Sequence, residues 1–233
     1  MSKYLVLGLV GDMQSYGTTS KFYMRTTDSH PSKSAVIGMI LASTGWFIPD
    51  DSTLRKLSSG YMESESYGDG SPRIMRDFQM MGASHERNDW DEQFCLVKGD
   101  PDPTKKAQST VKLSYRDYIV GAKFRVIIEV HSDLVDHIVT KLQDPEDGPF
   151  LGRRTCIPSE PVYRATCDSL EEAREIELFP NKKLISRVVE GIIGEHEWKD
   201  GLKYDTSFTH DVPIKMGYIK EYSGRYITVI RSK

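Results

Sequence analysis

Three short segments carry the residue types from which a binding site is built. The first is Gly11-Asp12-Met13-Gln14-Ser15-Tyr16-Gly17. Its glycines permit tight backbone geometry and close approach by a ligand. Gln14 offers amide donors and an acceptor, and Tyr16 offers a face on which a base can stack. An ordinary strand-to-helix connection is the alternative reading. It is not a dinucleotide fingerprint, because the GxGxxG order is absent. The second segment is Pro31-Ser32-Lys33-Ser34, just ahead of an apolar helical pattern. Two hydroxyls, one ammonium and the free N–H groups of a helix start suit a phosphate. A capped helix with an incidental lysine is the alternative. The third runs from Gly148 to Cys156 and holds Gly152-Arg153-Arg154. Adjacent guanidinium groups beside a glycine can clamp a phosphate backbone in bidentate fashion, or can be surface arginines on a loop.

Patterns for catalysis are weaker. The six histidines include no HExxH helix, and neither a GxSxG elbow nor a GxxxxGK[ST] phosphate loop occurs. Glu195-His196-Glu197 has metal-ligand residue types but adjoins Trp198-Lys199-Asp200-Gly201, which reads as an exposed turn. Cys95, Cys156 and Cys167 form no CxxC pair, so neither a disulfide framework nor a zinc site is expected. No cofactor and no metal are expected.

The chain has 233 residues, enough for one large domain, and a formal net charge of -3. That balance counts against a nucleic-acid binder as a whole, but the charge is unevenly spread. Between Thr104 and Arg125 six basic residues face only Asp117, while acidic residues gather at 89–92, 144–147 and 171–177. Each cluster also reads as a solvated face. With no long apolar run and no cleavable leader pattern, the expected location is cytoplasmic, away from any membrane.

The elements that must position these segments are legible from periodicity. Residues 3–10 alternate as a strand, with Leu5, Leu7 and Leu9 on one side. Ser32 should cap a helix carrying Val36, Met39, Ile40 and Leu41, and Gly45 should end it. A short helix is expected over 51–57, strands over 60–67 and 73–79, a strand over 124–130 and a helix over 133–142. A short helix over 170–174 and strands over 184–193 and 225–231 complete the pattern. Residues 80–110 are polar and charged, a long excursion for a compact domain. The first 165 residues thus read strand, helix, strand, insertion, strand, helix, strand. The predicted fold is α+β: a ferredoxin-like (RRM-like) βαββαβ core over residues 1–165 and a small β-rich C-terminal extension over 166–233.

The three segments, in this order, resemble the CasD family, the guide-RNA 5′-handle subunits of type I-E CRISPR surveillance complexes (Cascade). Its members carry a GxMQxWG-like loop after the first strand, a PT[RK]S-like helix start and a YLGRRxCP-like loop in the second half. Here Tyr16 stands where tryptophan is usual, and Ile157 separates Cys156 from Pro158. Residues 80–112 match no part of the pattern. The resemblance implies a non-catalytic subunit of the repeat-associated RNA-binding superfamily. The insertion at about 80–112 would be a β-hairpin thumb meeting the backbone subunits. The large subunit would pack at the base, and target DNA would be met only indirectly. It implies handle bases held near Met13, Gln14, Tyr16 and Gly17, and phosphates held by Ser32, Lys33, Ser34, Arg76, Arg116, Gly152, Arg153 and Arg154. The alternative is a metal-independent endoribonuclease like the type I-C relative, with Tyr115 beside Lys112 or His131. Those relatives use an adjacent Lys-His pair, which this chain lacks.

Overall fold

The computed structural model describes residues 1–19, 23–70, 72–81, 112–217 and 219–232. Strand β1 (Ser2–Val10) alternates as its sequence demands. Leu5, Leu7 and Leu9 point into the main core, and Val6 points to the other face, against Ile127, Cys167 and Ala173. Helix α1 (Lys33–Thr44) starts at Ser32, whose hydroxyl accepts the Ala35 N–H, and ends at Gly45 with φ 75°. A left-handed residue there favours glycine, which has no Cβ to clash. α1 is apolar on most sides because it is enclosed by β1, by helix α3 (Ser132–Gln143) and by strand β10 (Leu202–Lys215).

Strands β4 (Met62–Gly68), β7 (Lys123–His131) and β8 (Tyr163–Cys167) join β1 in the order β4-β7-β1-β8, each neighbour antiparallel. With α1 and α3 packed on one face, this mixed α+β arrangement is consistent with the ferredoxin-like (RRM-like) group. Helix α2 (Asp51–Ser58) and short helix α4 (Leu170–Glu175) lie near their expected places.

The C-terminal strands extend the same sheet. β9 (Lys183–Glu190) pairs with β4, β11 (Glu221–Ser232) with β9, and β10 forms the outer edge. β10 has no counterpart among the expected strands. It is polar and mostly exposed, is interrupted by irregularities at His210/Val212 and Pro213/Lys215, and carries a proline, all marks of an edge strand.

A second, smaller sheet centres on β6 (Lys112–Val120). β5 (Arg73–Met81) pairs along its full length, from Arg73↔Val120 to Met81↔Lys112. The short strands β2 (Met13–Gln14) and β3 (Met24–Arg25) pair with Val120–Ile119 and with Tyr115–Arg116. Apart from its two paired ends, the expected thumb lies outside the described residues.

Candidate nucleic-acid interface

An RRM binds RNA on the open face of its sheet, through exposed aromatic residues. Here that face is covered. Val6 and Ile127 lie beneath α4. Glu63 takes the Arg174 guanidinium, and Glu65, only 2% exposed, is held by Arg125 and Arg187. Arg164 lies against Gly8, so a side chain there would collide with its guanidinium. A binding surface has to be sought at the edges and loops.

The three sequence segments meet at one such place. The Ser15 N–H donates to the Leu151 carbonyl at 3.1 Å, which docks the first loop on the third. Gly152 makes this contact possible. Its φ is 84°, and a Cβ there would sit 1.8 Å from the Ser15 carbonyl oxygen. Gly11 serves from the other side, where a Cβ would lie 2.8 Å from Leu151 Cδ1. A turn closed by Leu151 N–H to Cys156 O at 2.7 Å and Cys156 N–H to Arg153 O at 2.8 Å holds the third loop in shape.

Between them opens a cleft of about 560 Å³. Ser15 and Gly17 contribute from the first segment, Ser32 and Ser34 from the second, and Phe150, Gly152 and Arg154 from the third. Phe47 and Ile48, just past α1, add exposed apolar surface. The fourth wall was not foreseen: Met216 and Lys220, between β10 and β11, and Tyr222, at the start of β11, reach the cleft. Those residues lack any local pattern that would have marked them. The cleft therefore has two cations at its rim, Arg154 and Lys220, with aromatic rings and hydroxyls inside.

Several expected ligands are placed elsewhere. Gln14 is fully buried: its amide donates to the Ala122 carbonyl at 2.7 Å, and its carbonyl accepts the Tyr16 hydroxyl at 2.6 Å. Tyr16 is 2% exposed, with its ring edge-on to Phe124, and burial pushes its phenol well above the usual range. Neither offers a face or an edge to a base in this structure. They brace the loop from inside, while Met13 packs against the core and Gly17 is exposed.

Lys33 is 1% exposed and turned inward, where Nζ donates to the Gly60 carbonyl and pairs with Glu190 at 3.2 Å. Burial lowers its pKa, and Glu190 opposes that shift. The helix start is occupied as well: the Lys33 N–H donates to Asp211 Oδ2 at 2.6 Å. Asp211 is gripped by Arg225 at 2.8 and 2.9 Å, and Arg225 also pairs with Glu190. Two cations and two carboxylates thus form a closed set that ties α1 to β9, β10 and β11. The phosphate site expected at Ser32-Lys33 is filled by the protein's own carboxylate.

The remaining arginines divide. Arg76 forms a two-bond pair with Asp117 at 2.7 and 2.9 Å, which holds that carboxyl below its usual range. Arg153 turns inward: Nη2 donates to the Arg25 carbonyl at 2.9 Å, and Cζ lies 5.0 Å above the Tyr118 ring. Arg154 is 75% exposed at its side chain, with one contact to Asp147 at 3.1 Å. Arg116 lies half-buried on β6.

Among the described residues no group of three or more His, Cys, Asp or Glu is placed to hold a metal ion. Glu195–Glu197 is a 3-10 turn in which the His196 ring lies 3.5 Å from the Glu197 carboxylate and against Gly194. Tyr115 packs against Phe78 on the small sheet, whereas His131 ends β7 beside Asp133. Cys156 and Cys167 are free and buried, and Cys95 lies outside the described residues. No described helix is long and apolar enough to cross a membrane.

The fold and site define a mixed α+β protein, consistent with the ferredoxin-like group, with a cation-rimmed, aromatic-lined cleft where three loops meet. The chain belongs to the family of CRISPR-associated proteins (Cas_Cas5), whose model matches residues 4–229. It is 26% identical over 181 residues to the CRISPR system Cascade subunit CasD of Escherichia coli (strain K12), covering 76% of each chain. In structure it resembles a chain of a CRISPR RNA-guided surveillance complex, with TM-score 0.68, 23% identity and coverage of 98% of this chain and 90% of that one. A second likeness is to a crystal structure of a Cas protein, with TM-score 0.61, 21% identity and coverage of 99% and 95%.

Proposed function

We propose that this chain is a non-catalytic, RNA-binding subunit of a type I-E CRISPR surveillance complex (Cascade) and grips the 5′ handle of the guide RNA. The observation that carries this reading is the convergence of three separated segments, with the β10–β11 turn, on one cleft. Single-stranded RNA is held by stacking on aromatic rings and by charge on its phosphates. Phe150 and Tyr222 supply the rings, Arg154 and Lys220 the charge, and Ser32, Ser34, Gly17 and Gly152 hydroxyls and backbone at close range. Gln14, Tyr16 and Lys33 act one step back, by shaping the walls. Backbone subunits meet the thumb insertion at about 80–112, the large subunit packs at the base, and target DNA is met only through the assembled guide. The complex works in the cytoplasm.

The test is one incubation of the purified chain with its cognate repeat RNA in EDTA, split between native and denaturing gels. A shifted band with intact RNA, weakened when Arg154 and Lys220 are both changed to alanine, supports the proposal. A discrete cut would make the protein a processing ribonuclease instead. Failure to bind, alone and in the assembled complex, would refute RNA binding altogether.

A further inference from the structure

We propose that Arg25, Arg116 and Arg153 form a second anion site, on one face of the small sheet, which takes a phosphodiester of the guide RNA where the strand leaves the cleft. The inference rests on the RNA-binding reading above. It adds a residue, Arg25, that no sequence pattern marked.

The register of the small sheet creates the site. β3 and β6 pair Arg25 directly with Arg116, so both side chains leave the same face. Arg153 arrives there from the third loop, bonded to the Arg25 carbonyl and stacked over Tyr118, two positions from Arg116 on that face. Like charges brought together repel, so such a cluster calls for a counter-anion. The described neighbours supply little. Asp77, opposite Arg116, takes the Gln79 amide at 2.7 Å and contributes one negative charge against the three arginines. Asp117 has both oxygens held by Arg76, and Arg153 adds to the field that lowers its pKa, so it offsets part of the cluster's charge.

Two donors carry the argument further. Arg116 Nε and Arg153 Nη1 are both buried with no hydrogen-bond partner. A buried, unpaired charged donor has lost its water without gaining a bond. Its positive field is therefore only weakly screened, and an anion at the mouth of the cluster would relieve it. The surroundings agree in sign. Although the whole chain is acidic, the four strands of this sheet carry Arg25, Arg73, Arg76, Lys112 and Arg116 against Asp77 and Asp117. Continuity names the ligand: Arg154 lines the cleft, and the residue beside it, Arg153, belongs to the cluster. A strand passing over Arg154 meets Arg153 and Arg25 next.

Arg25→Ala is a clean probe because Arg25 is exposed and its carbonyl, which holds Arg153, is retained. Binding of fluorescent cognate repeat RNA to the full chain is followed by anisotropy between about 50 and 200 mM KCl. The variant should melt like wild type and bind roughly 5- to 20-fold more weakly. Its log–log salt slope should be shallower by about 0.7, one phosphate's worth on a single strand. Arg25→Lys should keep most of the slope. Unchanged affinity and slope in Arg25→Ala, with Arg154→Ala still impaired, would overturn the second site and leave the cleft standing. Weaker binding at unchanged slope would also overturn it, because no phosphate contact was lost. Absence of RNA binding by wild type, alone and in the complex, would overturn both.

Discussion

Replacing Gly152 with alanine tests whether the two loops meet as described. Two costs add. The φ of 84° lies in the left-handed region, which costs a residue with a Cβ about 1–2 kcal/mol. The new methyl would also sit 1.8 Å from the Ser15 carbonyl oxygen and 2.8 Å from its carbon. Both are backbone atoms, so no rotamer change relieves the clash and the loops must part by more than an ångström. Parting breaks the Ser15–Leu151 hydrogen bond, a loss of about 1 kcal/mol, and loosens the packing of Leu151, which is otherwise fully buried. The quantified terms sum to roughly 2–3 kcal/mol, equivalent to a fall in Tm of about 4–12 °C for a chain of this size. Gly148→Ala is the control, because a Cβ there meets nothing within 4 Å and its φ lies outside the left-handed region. Thermal unfolding should separate the two variants clearly, and RNA affinity should fall only in Gly152→Ala. A Gly152→Ala protein that melts within about 2 °C of wild type would refute the docking of the loops.

The paired arginines should differ in what they cost the fold. Arg154→Ala should leave stability within about 0.5 kcal/mol yet weaken RNA binding, whereas Arg153→Ala should cost roughly 1–3 kcal/mol from a charged hydrogen bond and a ring contact. Unfolding curves beside binding isotherms would show the contrast, and equal destabilisation would contradict it. Lys33→Met should destabilise by about 2–4 kcal/mol, since one member of a buried ion set is removed, while the salt slope of RNA binding stays unchanged. A shallower slope would mean that the ammonium touches RNA after all. Burial lowers the His30 imidazole to about 4. The unfolded chain takes up that proton near pH 6.5, so the fold loses stability as pH falls from about 6.5 towards about 4, by at most roughly 3 kcal/mol. Urea titrations of wild type and His30→Asn across that range should diverge on the acid side, and parallel curves would remove His30 from the account.

What could be read from the sequence was local. Ser32 and Gly45 announce the two ends of α1 through their own side-chain and backbone chemistry, and the alternation of Leu5, Leu7 and Leu9 gives β1 its core face. The three loops were also legible as special, and they do meet. The roles of individual side chains within them depend on partners far along the chain. Lys33 looked like a phosphate ligand because Glu190 and Asp211, 157 and 178 residues away, leave no trace near it. Gln14 looked available because the Ala122 carbonyl that satisfies it is 108 residues away. β10 escaped notice because a polar edge strand with a bulge and a proline carries no period-2 signal. Lys220 and Tyr222 escaped with it, since their place in the cleft depends on where that hairpin turns.

The carboxylate at the start of α1 has a consequence for anyone who works with pieces of this protein. Asp211 is an anion delivered in cis by the outermost strand, and it satisfies a helix terminus that would otherwise attract one from solution. A fragment ending before Leu202 would lose Asp211 and Arg225 together, leaving the Lys33 N–H and its ammonium with Glu190 as their sole remaining carboxylate from the set. Such a fragment gains an anion receptor that the intact chain does not have. Its affinity for RNA, or for any polyanion on a column, would measure the wound left by the cut and overstate the grip of the native cleft.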